Sequence, residues 1–118
     1  MRLTTVQIDN APAWGITRGV RVSGNGGIYQ HNISIEPSQR YTLSCFVKGS
    51  GTFYLGYNNT GEERKTVSYQ ITSSWQRVFT SFNLNSHLID VSFTGDSEFT
   101  ACGFQLEMGD SPTQFGYF

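Results

Sequence analysis

Alternation of apolar and polar side chains at every second position is the feature that most constrains what this sequence can fold into. The segment RYTLSCFVKG shows it clearly, because Tyr41, Leu43, Cys45 and Val47 fall on one face of an extended chain. Successive side chains of a β-strand point to opposite faces, so this period predicts strands with one buried face. The same pattern recurs in GVRVS, HNISIEP, TFYLGYN, KTVSYQIT, WQRVFTSFNL, LIDVSFTG and FTACGFQLEMG.

Clusters of residues typical of turns separate these segments. They contain Gly, Asn, Ser or Pro and lie at 24–27, 36–38, 49–51, 58–61, 73–74 and 95–96. Eight or nine short strands at this spacing, without a helical period, predict an all-β fold in which two antiparallel sheets form a β-sandwich. The 118 residues make one domain in this interpretation, with an N-terminal segment at 1–14 and an aromatic C-terminal tail at 110–118.

Composition argues against several classes of partner. Charged residues make up 14% of the chain, the formal net charge is −1, and no basic run is present, so no nucleic-acid partner is expected. No polybasic patch and no apolar segment of spanning length occurs, so membrane insertion is not expected either. The start, MRLTTVQIDN, lacks the apolar core of a signal peptide, which predicts a chain made in the cytoplasm or cut from a larger protein.

Two cysteines, Cys45 and Cys102, lie within alternating segments and belong to no C-x-x-C pair. The preferred interpretation is two buried free thiols, and a single disulfide is the alternative.

Catalytic motifs are not recognisable around the titratable residues. Neither His31 nor His87 has a nucleophile motif beside it. The glycines at 24–27 are not followed by the Lys-Ser/Thr pair of a phosphate-binding loop. Nothing marks as buried the carboxylates that a glycosidase would pair, for which the candidates are Asp90, Asp96, Glu98 and Glu107. We therefore predict that the chain is not an enzyme.

Three segments together resemble a known family. YTLSCFVKGSG, SSWQRVFTSFNL and CGFQLEMGDSPTQF are similar, in order and spacing, to the jelly-roll carbohydrate-binding modules. These galactose-binding-like sandwiches occur beside cellulases and xylanases and in bacteriophage tail, baseplate and fibre proteins. The last segment is closer to the phage form, in which Gln-Leu-Glu, one further residue and Gly precede a short turn, then Thr and an aromatic residue. The resemblance covers about residues 15–115.

The resemblance implies a non-catalytic carbohydrate-binding domain of a phage virion protein, in a tail fibre or baseplate, that recognises a saccharide on the host surface. Its implied partners are a saccharide, other virion subunits and further copies of itself in a homotrimer. It would be assembled into the virion in the host cytoplasm. The alternative is a structural virion domain, for decoration or fibre trimerisation, without sugar binding. A module cut from a secreted glycoside hydrolase is disfavoured by the two thiols.

A structural calcium ion is expected to be absent, although the possibility stays open. Many enzyme-linked members of the family have an Asp before Gln-Leu-Glu that helps to bind calcium, and residues 101–104 contain no carboxylate. Asp9, Asp96 and Glu98 are scattered, as solvated turn residues usually are. No cofactor is expected.

Saccharide recognition uses aromatic faces for stacking on sugar rings, with amides and guanidinium groups for the hydroxyls. The candidates are Tyr29, Gln30, Tyr54, Tyr57, Asn58, Trp14 and Arg77. Each could instead serve packing alone. Alternation sets Tyr54 against Phe53 and Leu55, so Tyr54 is expected to face outward and Tyr57 to be buried or at the rim.

Three further residues are expected to close the sandwich. Trp75 should plug one end of the core, Leu106 should point inward, and Phe115 should fold back as a cap.

Overall fold

The computed structural model describes residues 2–8, 11–13, 15–23 and 26–113, and every regular element in these ranges is a β-strand. The strands are β1 (Arg2–Gln7), β2 (Arg18–Ser23), β3 (Gly26–Ser34), β4 (Arg40–Gly49), β5 (Thr52–Asn59), β6 (Lys65–Gln70), β7 (Gln76–Asn83), β8 (Leu88–Gly95) and β9 (Phe99–Met108). These ranges contain no helix of the length and apolarity that a membrane crossing requires.

The strands form two antiparallel sheets. One has five strands in the order β1-β2-β9-β4-β7, and the other has four in the order β3-β8-β5-β6. The prediction of an all-β, two-sheet antiparallel sandwich is confirmed. Chain neighbours such as β3 and β4 lie in different sheets, so the connections cross repeatedly from one sheet to the other.

The core lies between the sheets and uses the predicted inward positions. Tyr41, Leu43, Cys45 and Val47 of β4 are all buried, and Phe53 of β5 and Phe99 of β9 are at most 1% exposed. The rings of Phe53 and Phe99 meet edge to face with centroids 4.9 Å apart. Burial of each large side chain of this kind stabilises the fold by about 1.5–3 kcal/mol before entropy is counted. Leu106 also packs against this core, as predicted.

Both cysteines are free and buried, which confirms the preferred interpretation of the two thiols. Burial raises the pKa of Cys102 to about 11. Burial, with the neighbouring Cys102 as a smaller contribution, also raises the pKa of Cys45 well above its usual value. Both thiols therefore stay protonated at neutral pH and act as small apolar side chains.

Three details differ from the sequence-based expectation. The N-terminal segment contributes a strand, β1, which pairs with β2 along its length. Strand β3 starts at Gly26 rather than near His31. Gly27 was predicted to be a turn residue, but a Cβ there would lie 2.5 Å from the Phe93 carbonyl oxygen, so close approach to β8 requires this glycine.

Trp75 was expected to plug the core, and this was wrong. It lies partly exposed just before β7, with the Lys48 ammonium 4.9 Å above the centre of its ring. It is therefore a surface residue held by a cation–π contact. The predicted cap, Phe115, lies outside the described residues.

The Gln-Leu-Glu motif fastens the turn that follows β9. The Glu107 carboxylate accepts hydrogen bonds from the backbone N–H and the hydroxyl of Thr113 and from the Gln105 amide. Gln105 in turn accepts a hydrogen bond of 2.7 Å from Arg77. The Thr42 hydroxyl donates to the carbonyl of Gly109, 2.8 Å away. Side chains on the outer face of the five-stranded sheet thus hold residues 109–113.

Replacing Glu107 by Gln should lower the free energy of unfolding by about 1–2 kcal/mol, because a neutral amide accepts the Thr113 donors more weakly. Urea unfolding at pH 7 measures this. Ser111→Ala, in the same exposed turn, is the control and should change stability by less than about 0.5 kcal/mol. Equal stability of Glu107→Gln and the unaltered chain would show that the motif does not hold the turn.

Candidate ligand-binding groove

The strand register brings a row of outward-facing residues together across the four-stranded sheet. Ser92 of β8 lies opposite Tyr29 of β3 on one side and Gly56 of β5 on the other. In the next row, Thr94 lies opposite Tyr54. These positions face outward because their neighbours along β5 and β8 are buried between the sheets.

Two small residues make a trough at the centre of this face. A Cβ added at Gly56 would lie 2.1 Å from the Ser92 hydroxyl oxygen and 2.8 Å from Cδ of Arg64. The stem of Arg64, from the loop between β5 and β6, therefore lies directly over Gly56. Its guanidinium carbon is 4.9 Å from the centre of the Tyr29 ring, within the range of a cation–π interaction.

Asp90 of β8 organises one end of the trough. Its carboxylate accepts hydrogen bonds from the Asn32 backbone N–H at 3.1 Å, the Thr60 hydroxyl at 2.8 Å and the Asn58 amide at 3.1 Å. Nδ1 of His31 lies 3.5 Å from the same carboxylate. Partial burial raises the pKa of Asp90, but these hydrogen bonds outweigh burial and lower the pKa to about 2.

An irregularity in β3 makes that arrangement possible. The register with β8 shifts between Gln30 and Ile33, and Asn32 has a φ of 59°. Asn adopts this left-handed conformation more readily than most residues. The shift directs the Asn32 N–H at Asp90 and keeps the His31 ring on the Tyr29 side, where the two rings are parallel within 4°.

Two adjoining compartments on this face form a groove. The first, about 270 Å³, is bordered by Tyr29, His31, Asn58, Gly61, Glu62, Arg64, Asp90, Val91 and Ser92. The second, about 340 Å³, is bordered by Gly26, Tyr29, Tyr54, Arg64, Thr94, Gly95 and Asp96. The Tyr29–Arg64 pair belongs to both compartments and separates them. The first is slightly below, and the second near the lower limit of, the range for ligand sites, roughly 300–1,000 Å³.

Three of the seven residues predicted from the sequence meet in the groove. Tyr29 borders both compartments, Asn58 borders the first and Tyr54 borders the second. Trp14 lies outside the described residues.

The other three lie elsewhere. Tyr57 points between the sheets, where its ring stacks on Phe82 with centroids 4.5 Å apart. Gln30 pairs with the inward-facing Val91, on the opposite face of β3 from Tyr29, and borders neither compartment. Arg77 is on the five-stranded sheet, with its guanidinium 5.2 Å from the ring centre of Phe46.

Arg64, Asp90, Ser92 and His31 are among the groove residues that sequence reasoning missed. Asp90 carried a usable signal, because a carboxylate between two core residues of one strand must face the open side of the sheet. Arg64 carried none, since its position depends on the absence of a side chain at Gly56.

The ranges that the structure describes contain no group of three or more His, Cys, Asp or Glu side chains that could hold a metal ion. Of the three scattered carboxylates considered above, Asp96 accepts a hydrogen bond of 2.9 Å from the Thr52 backbone N–H. Asp9 lies outside those ranges.

Solved structures with the same architecture include sugar-binding proteins. A fragment of Clostridium thermocellum xylanase 10B, with CBM22-1 and GH10 modules and bound xylohexaose, matches with a TM-score of 0.66 at 17% identity, over 98% of this chain and 26% of that one. TmCBM61, in complex with β-1,4-galactotriose, matches with a TM-score of 0.61 at 14% identity, over 91% of this chain and 82% of that one. This chain has the jelly-roll fold of carbohydrate-binding modules.

A phage protein shares the fold as well. The enzymatically active domain of tailspike protein 4 from bacteriophage CBA120 matches with a TM-score of 0.72 at 10% identity, over 92% of this chain and 18% of that one. The chain thus spans only 18% and 26% of the tailspike and xylanase chains. No protein-family model matches the sequence, and no curated protein matches it.

Replacing Gly56 by Ala should lower the free energy of unfolding by about 1–3 kcal/mol, because the new methyl group overlaps the Ser92 hydroxyl and the Arg64 stem. Urea unfolding measures the change. The double variant Gly56→Ala/Ser92→Ala should regain part of the loss, and Ser68→Ala on exposed β6 is the neutral control. A stable Gly56→Ala protein would mean that the Ser92 hydroxyl and the Arg64 stem do not crowd this position.

Replacing Asp90 by Asn should destabilise the protein in a pH-dependent way. The folded-state pKa of about 2 is below the unfolded value of about 3.9, so the charged Asp90 stabilises the fold fully above that value. This contribution is lost as the pH falls from about 4 to about 2. The difference in unfolding free energy between the two proteins should therefore be constant from pH 5 to 7 and shrink below pH 4. A difference independent of pH would contradict the assignment.

Proposed function

We propose that this chain is a non-catalytic module that binds a saccharide in the groove of its four-stranded sheet. The observation that carries the proposal is Tyr29, an aromatic side chain left 44% exposed between two small compartments. Exposed aromatic rings bordered by polar groups suit sugars, whose rings have apolar C–H faces and whose rims carry hydroxyls.

Polar groups for the hydroxyls surround this ring. Arg64 offers guanidinium N–H donors to both compartments. Tyr54 adds a phenol in the second. The Ser92 hydroxyl is buried beneath the Arg64 stem and has no hydrogen-bond partner among the described residues. A ligand hydroxyl that reaches Ser92 would supply that partner, which native structures rarely leave absent.

The compared structures support a saccharide over other small ligands. The xylanase fragment was solved with xylohexaose and TmCBM61 with β-1,4-galactotriose. At sequence identities of 17% and 14% the likeness extends to the fold alone, so the groove residues are assigned from this chain's own geometry.

We further propose that the module belongs to a phage virion, in a tail fibre or baseplate, and recognises a saccharide on the host surface. Support comes from the Gln105-Leu106-Glu107 motif with its Thr113 contact, and from the part of the tailspike chain that has the same fold. Partners would be other virion subunits and two further copies in a trimer, assembled in the host cytoplasm. Weak single sites would then gain affinity through simultaneous binding.

A structural virion domain without sugar binding is the second candidate. Its support is Phe79, an aromatic residue 43% exposed on β7, which lies at the edge of the five-stranded sheet. An apolar side chain at a sheet edge is suited to burial against another subunit.

Binding to a glycan array and to bacterial cells, with light scattering for the mass in solution, tests these candidates. Tyr29→Ala should weaken saccharide binding at least about fivefold, since a central aromatic residue contributes more than about 1 kcal/mol. Phe79→Ala is the matched control, because its ring is equally exposed on the other sheet, and it should bind normally.

The opposite results separate the two candidates. Absence of binding to every glycan and cell type, together with a trimer that Phe79→Ala dissociates, would favour the structural domain. Binding that Phe79→Ala abolishes and Tyr29→Ala leaves intact would move the site to the five-stranded sheet.

A further inference from the structure

The charged side chains of the groove differ in whether they have a hydrogen-bond or ionic partner within the protein. Asp90 accepts three hydrogen bonds and has His31 beside it. Glu62 accepts a hydrogen bond of 3.2 Å from the Asn59 amide, and Asp96 accepts one from the Thr52 N–H. Each carboxylate that borders the groove thus has a donor from the protein.

Arg64 is in the opposite situation. Within the described ranges its guanidinium has no ion pair and no hydrogen bond, and its contact is the face of the Tyr29 ring. A guanidinium presents five donors in a planar fork that matches a carboxylate with two parallel hydrogen bonds. The group without a counter-ion at the centre of the groove is therefore a cation.

Position adds to this charge argument. Because Arg64 and Tyr29 together separate the compartments, a sugar ring in either compartment lies beside the guanidinium. Gly56 and Ser92 provide the space for the Arg64 stem to reach across two strands to that point. If the Arg64 guanidinium only needed hydration, its stem would not have to lie over Gly56.

We infer that the groove takes an acidic saccharide, in which a carboxylate on a sugar unit binds the Arg64 guanidinium while the ring contacts Tyr29. This inference rests on the proposed saccharide-binding function and names the chemical class of its ligand. The charge-assisted, bidentate contact replaces the cation–π contact that Arg64 makes in the free protein.

Paired ligands test the inference. The probes are oligosaccharides of galacturonate, glucuronate-containing and mannuronate-containing repeats and sialic acid, each beside its fully methyl-esterified form, which keeps the sugar backbone and removes the charge. The chain should bind at least one acidic member, and esterification should weaken that binding roughly tenfold to a hundredfold. Rising salt should weaken binding of the acid form more than that of the ester.

Two neighbouring cations give a matched pair of variants. Arg64→Gln should lose the preference for the acid over the ester. Lys65→Gln removes the next positive charge along the chain, which borders neither compartment, and should keep it. Circular dichroism confirms that both variants are folded.

The contrary outcomes are distinguishable. Equal binding of acid and ester forms, or of neutral glycans, that is lost in Tyr29→Ala would overturn the acidic ligand and leave the saccharide-binding function standing. An acid preference that survives Arg64→Gln would overturn the role of Arg64. Failure of the folded chain to bind any of these probes, while it binds a neutral glycan of the array, would overturn only the acidic ligand. Failure to bind these probes and every glycan of the array would overturn both proposals.

Discussion

Burial of alternate side chains between two sheets is the constraint on which the rest of this structure depends. Once Phe53 and Leu55 of β5 lie in the core, Tyr54 and Gly56 must face outward. A slip of one residue would turn the groove inward and expose the core. The positions of the ligand-binding candidates on the four-stranded sheet therefore follow from the same burial that stabilises the fold.

Small side chains then decide which outward residues can meet. Gly56 weakens β5 by an amount on the order of 0.5–1 kcal/mol relative to a residue with a Cβ. In return the Arg64 stem can lie flat on the sheet and reach Tyr29 on the far side of β8. The loss of local stability and the geometry of the groove both arise because Gly56 has no side chain.

The alternation in the sequence predicted which side chains of a strand face inward or outward. It did not predict contacts that depend on the course of a loop or on a glycine. The outward face of Tyr54 and the inward face of Leu106 followed from alternation, and both thiols were correctly expected to be free. The candidate Gln30 borders neither compartment of the groove, because adjacent residues of a strand point to opposite faces. Arg64 is about ten residues from Tyr54 along the chain, and no periodic pattern links a loop arginine to a tyrosine on another strand.

The outer faces of the two sheets differ in the partners of their arginine side chains. On the five-stranded sheet, Arg77, Gln105 and Glu107 form a chain of hydrogen bonds that ends on Thr113, although the buried Nε of Arg77 has no partner among the described residues. On the four-stranded sheet the corresponding chain stops at Asp90, and Arg64 remains without an ionic partner among the described residues. Arg64 is exposed, and a guanidinium that the protein leaves without an ionic partner is a group that a carboxylate of a ligand can pair. This difference between the two arginines supports the site that we propose on the four-stranded sheet, although Arg77 was an equal candidate in the sequence.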